Sequence, residues 1–145
     1  MNRTVRRIFP LVLIGIALLA GAYLWLTRPT PVLDPGGPWV IGGINVYQEG
    51  GTIPVTGYDE AAVLACLAAC TQRNTLTTTD PYVQDQMTLE ILLYSDQCLS
   101  GKYLVLGKNP ADTFLYLPSQ QPQFRYVLTD PQSVTAELER LILGG

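Results

Sequence analysis

The chain has 145 residues, 48% of them hydrophobic and 14% charged, which is room for one membrane segment and one modest folded domain. It contains no histidine, and this removes the imidazole base of Ser-His-Asp and Cys-His catalysis together with every histidine-based metal site. The formal charge of -3 is unevenly spread: residues 1–28 hold Arg3, Arg6, Arg7 and Arg28 and no acid, leaving 5 basic against 12 acidic side chains downstream, a balance that argues against a nucleic-acid partner.

An uncharged run of 19 residues opens at Ile8 and closes at Leu26; at about 1.5 Å per residue it reaches about 28 Å, close to the thickness of a hydrocarbon core. The run predicts a signal-anchor helix over residues 8–26, which makes the lipid bilayer the chain's first expected partner. Arginines gathered ahead of the run hold residues 1–7 in the cytoplasm as a basic tail and send the remainder across. Tyr23 and Trp25, at the exit end, are the expected membrane-interface anchors. The expected localisation is therefore the cell membrane, single-pass, with an extracytoplasmic domain. The alternative is secretion after signal cleavage near Ala22, since Ala20-Gly21-Ala22 meets the small-x-small rule, although cleavage there leaves the apolar Tyr-Leu-Trp-Leu as the mature start. Leu67-Ala68-Ala69-Cys70 spells a lipobox, but it lies far beyond the apolar run and inside a helical pattern, so it reads as a chance match.

Residues 27–38 include Pro29, Pro31, Pro35 and Pro38 with Gly36-Gly37 and read as a short extended tether. The domain proper is expected over residues 39–145. Residues 39–48 predict a strand with Gly42-Gly43 as a bulge, and Ile53-Pro54-Val55 a short edge segment. Over residues 58–73, Val63, Cys66, Leu67 and Cys70 mark one helical stripe, with Asp59 and Glu60 suiting the positive end. Residues 75–86 show no period and read as a long loop, the expected interaction surface, with Thr79, Asp80, Tyr82 and Asp85 as its candidate residues. Residues 87–94 alternate strongly, followed by strands over 102–107, 113–117 and 123–128. Asp130-Pro131 opens a last helix whose stripe of Val134, Leu138, Leu141 and Ile142 ends at Gly144-Gly145. The order β-α-β-β-β-β-α is met most economically by an α+β fold of two layers, a mostly antiparallel sheet of about five strands with two helices on one face.

Three cysteines leave at least one unpaired within the chain; the pairing considered is Cys66–Cys98, set against three reduced thiols acting as small hydrophobes. The acids Asp80, Asp85, Glu90 and Asp96 fit no calcium-loop spacing, and the glycine pairs fit no phosphate loop. No catalytic residue, metal ligand or cofactor is singled out. Tyr47, Tyr94, Tyr103, Phe114, Tyr116 and Tyr126 fall on strands, and those facing away from the helices would offer an aromatic patch. The functional expectation is a membrane-anchored, non-enzymatic binding module for a protein, peptide or envelope component. An accessory subunit of a larger membrane complex is the alternative, and a carboxylate-dependent hydrolase the third reading.

Overall fold

A computed structural model describes residues 3–35, 37–78 and 84–144. Helix α1 (Arg3–Leu26) contains the one stretch among the described residues that is long and apolar enough to cross a membrane, Val5–Leu26, and none of it is buried against the rest of the chain. Beyond it lie an antiparallel sheet and two further helices, so the chain is α+β as expected. The sheet has eight strands rather than about five.

The additional strands come from segments with weak apolar patterns. The first, β1 (Thr30–Pro31), pairs with β4 (Thr71–Thr78), Thr30 opposite Gln72. Directly after β1, the Val32 amide donates to the Cys70 carbonyl at 3.1 Å, and the Val32 side chain is 0% exposed with Leu33 buried beside it. The first half of the expected tether is therefore part of the domain: proline at this position only forbids a central strand, and an edge strand accepts it. The expected helix over 58–73 and loop over 75–86 are also corrected. Helix α2 spans Glu60–Ala68, capped by the Asp59 carboxylate accepting from the Ala62 amide, and the chain leaves it as Thr-rich β4, four of whose eight residues are threonine. The apolar stripe that predicted the helix stops at Cys70, and β-branched threonines beyond it favour extended backbone.

The remaining elements sit close to expectation. Strand β2 (Trp39–Gln48) carries the foreseen bulge, its register slipping between Ile41 and Gly43. A side chain at Gly42 would meet the Tyr94 ring at 2.2 Å, so the glycine is what lets that ring lie across the strand. Strand β3 (Gly51–Pro54) forms the edge beyond β2. Strands β5 (Met87–Ser95) and β6 (Cys98–Gly107) form a hairpin closed by the pair Ser95–Cys98; β6 begins earlier than its apolar pattern implied because that tight turn sets the pairing. Strands β7 (Phe114–Tyr116) and β8 (Phe124–Leu128) and helix α3 (Pro131–Leu143) complete the chain. The strand order is β1-β4-β8-β7-β6-β5-β2-β3, with antiparallel pairing throughout.

Register decides which residues share a face. Ile44 lies opposite Ile91, Ile91 opposite Leu104, and Leu104 opposite Leu115. All four are buried, and they join Val63 and Leu67 of α2 and Leu138 and Ile142 of α3 in one cluster. Both helices thus pack into the same core, each buried large side chain there stabilising by about 1.5–3 kcal/mol relative to exposure. Bulges in β2, β4 and β5 bend the sheet, and its second face has a small core of its own, where Met87, Val105 and Phe114 pack with Tyr47 and Tyr116.

At the end of β6, a Cβ on Gly107 would come within 2.7 Å of the Asn109 carbonyl oxygen and 2.8 Å of Asp112 Cβ. Backbone cannot swing away as a flexible side-chain end can. Gly107→Ala is therefore expected to destabilise the domain by about 1–3 kcal/mol, measured as a shift in urea midpoint at constant slope.

Candidate functional site

Alternation along β6 puts Lys102 in phase with Leu104 and Leu106, on the face that packs against the helices, and the register sets it opposite Leu93. A lysine in an apolar row needs partners, because a buried charge without them is strongly penalised. Lys102 is 3% exposed; its Nζ donates to the Val32 carbonyl at 2.7 Å and stands 5.4 Å from the centre of the Trp39 ring. The Trp39 indole in turn donates to the Asp34 carbonyl at 3.0 Å, so Val32 and Trp39 both bear on the ammonium group. Burial holds the Lys102 pKa below the ordinary lysine value of 10.5, with Asp34 and Cys98 pulling in the opposite direction.

Lys102 lines a cavity of about 510 Å³ whose wall is completed by the C-terminal end of α1, through Trp25, Leu26 and Arg28. Gln72 of β4, Gln120 of the connection between β7 and β8, and Tyr126 of β8 also line it. Gln72 faces this side because β4 pairs it with Leu128; it is 5% exposed, and its Oε1 has no hydrogen-bond partner. Gln120 donates through Nε2 to the Tyr126 hydroxyl at 3.2 Å, while its Oε1 is likewise unpartnered. Buried polar atoms are nearly always paired, so the two unpaired carbonyl oxygens and the desolvated cation single this region out as the candidate site. Arg28 lies over the Trp25 ring at 3.5 Å and donates to the Trp25 carbonyl at 3.2 Å, adding a second cation at the rim.

The residues singled out from the sequence are scattered. Cys66 and Cys98 are both free and do not share a site: Cys98 lines the cavity, whereas Cys66 lines a separate cleft between α2 and α3 with Cys70 and Glu137. Helix α2 ends at Ala68, so Cys66 lies in its last turn. Of the interaction-loop candidates, Thr79, Asp80 and Tyr82 lie outside the described residues. Asp85 sits in a 3-10 turn (Gln84–Gln86) and borders a depression of about 290 Å³ with Tyr47, Glu49 and Lys108. Tyr23 and Trp25 are exposed near the end of α1.

The strand aromatics split as the register requires. Tyr103 and Tyr116 face away from the helices and stack at 5.2 Å, while Phe114 is buried beneath the Arg125 guanidinium at 4.5 Å. Tyr126, opposite Leu115, faces the helix side and the cavity. Glu90 accepts from Asn45 Nδ2 at 3.0 Å and from the Tyr47 hydroxyl at 2.7 Å, which commits that carboxylate to structure. Among the described residues no group of three or more Cys, Asp or Glu side chains converges as metal ligands do.

The thiols give a pH signature of their own. Burial, then the neighbouring Cys66, pushes Cys70 from the ordinary 9.0 up to about 11, and its Sγ donates to the Cys66 carbonyl at 3.0 Å. Between pH 9.0 and about 11 the unfolded thiol loses its proton while the folded one keeps it, so stability falls as pH rises through that window. Lys102, whose pKa is depressed, acts with the opposite sign below 10.5. Comparing the full chain with Cys70→Ala isolates the thiol: the variant is expected to lose up to about 2 kcal/mol less over that range, measured by urea denaturation at each pH.

Comparison of the chain with protein-family models, with curated proteins and with solved structures returns no match. Reasoning from sequence missed Lys102 and Gln72. The signal for the lysine was present, since Lys102 keeps phase with Leu104 and Leu106; none was present for Gln72, which depends on β4 being a strand.

Proposed function

We propose that the chain is a single-pass, membrane-anchored binding module, with its N-terminus in the cytoplasm and its α+β domain outside, that takes a small polar ligand in the cavity at the foot of α1. The observation that supports this reading is Lys102, a lysine 3% exposed that lines, with the buried Gln72, a cavity partly walled by the end of the apolar helix. A purely structural cation at this depth is expensive, and an apolar residue of the same size commonly serves stability as well or better. A ligand with complementary charge gives the lysine a purpose. The cavity's walls of amides, hydroxyls and aromatic rings suit binding.

Both tryptophans of the chain, Trp25 and Trp39, line this cavity, so intrinsic fluorescence reports on its occupancy. The full chain in mild detergent is titrated with glycerol 3-phosphate, glucuronate and glucose. At least one probe is expected to shift the emission saturably, with the shift lost in Gln72→Leu; no saturable shift from any of them would reject the cavity as the binding site.

A further inference from the structure

The chemistry of the cavity wall narrows the ligand. Downstream of residue 28 the chain is acidic, 5 basic against 12 acidic side chains, yet this cavity collects Lys102 and Arg28 against Asp34. The excess of one cation comes from Arg28, just ahead of the acidic domain, and a net positive cavity selects an anion. Gln72 Oε1 and Gln120 Oε1 are buried out of reach of the cavity space, so the ligand is read from the cations and the aromatic walls. The ligand must therefore carry an anionic group that meets Lys102 and Arg28. Trp25 and Trp39 add flat apolar walls against which a carbon backbone can lie.

Position supplies the source. Trp25, Leu26 and Arg28 belong to the last turn of α1 and the residues just after it, and with Val5–Leu26 across a bilayer these side chains lie at headgroup depth. The cavity volume of about 510 Å³ is within the range that takes a small molecule whole, which leaves acyl chains outside along the exposed helix. We infer that the cavity binds the phosphodiester headgroup of an anionic glycerophospholipid, phosphatidylglycerol being the probe, drawn from the membrane that α1 spans. This rests on the proposed function and names the ligand class for the same cavity.

The test uses the full chain carrying Trp25→Phe, so that Trp39 alone reports, in nanodiscs of phosphatidylcholine with a rising share of phosphatidylglycerol. A saturable shift of Trp39 emission is expected, together with competition by glycerol 3-phosphate added in solution. Removing one charged hydrogen bond is expected to weaken the response by about tenfold or more in Lys102→Met. Arg28→Gln provides a second variant that leaves the domain core untouched. A shift with glycerol 3-phosphate in solution but none with phosphatidylglycerol overturns the lipid source and leaves cavity binding standing. A response to glucose that matches the phosphodiester and survives both charge substitutions overturns the anionic ligand while the binding-module reading stands. Silence with every probe overturns both.

Discussion

Replacing residues 30–35 of the full chain by a Gly-Ser stretch of equal length is expected to lower the domain's stability by about 3–5 kcal/mol, the burial of a valine and a leucine side chain. A tether would tolerate the exchange, because only its length and solubility matter. This segment does more. Val32 is 0% exposed, Leu33 is buried, and both belong to the main cluster formed by the sheet and the two helices. The same residues hold the wall of the cavity, since the Val32 carbonyl accepts from Lys102. Urea denaturation of the detergent-solubilised chain, followed by circular dichroism, measures the loss; an unchanged midpoint would show the segment to be a spacer.

Leu104→Ala is expected to be comparably severe, at about 3–5 kcal/mol, a large fraction of the 5–15 kcal/mol that typically separates folded from unfolded states. Leu104 is fully buried at the middle of β6, between Ile91 of β5 and Leu115 of β7, where neighbours on both sides prevent the cavity from collapsing. Leu99, in the same strand and 79% exposed, is the control: Leu99→Ala should change stability by about 0.5 kcal/mol or less. Equal effects at the two positions, read from urea midpoints, would contradict the register that assigns Leu104 to the core.

Physical reasons separate the parts of this fold that pattern reveals from the parts it hides. Strand β5 alternates buried and half-buried residues along its whole length, and helix α3 carries Leu138 and Ile142 on one stripe with Gly144 as its stop, so both are readable from periodicity alone. The Gly42-Gly43 bulge is readable for a similar reason, since glycine pairs inside a β pattern mark irregular pairing. Strand β4 escapes because it is polar and Thr-rich, and its place in the sheet depends on β8 and β1, distant in sequence on either side. Once β4 is taken as a loop, Gln72 has no face, and the 30–33 segment has nothing to pair with. The cavity is hidden for the same cause: Trp25, Trp39, Gln72, Lys102 and Tyr126 come from five separate elements or their flanks, and no local spacing connects them.

The arrangement has meaning only if α1 spans the bilayer and the α+β domain stands outside it. Cys98 reads this directly, because it is a free, half-exposed thiol on the domain. In a chain carrying Cys66→Ala and Cys70→Ala, kept reduced, cells are treated with a membrane-impermeant maleimide before and after lysis. Labelling of Cys98 on intact cells is the predicted result; labelling that occurs only once the membrane has been opened would place the domain in the cytoplasm and contradict the account.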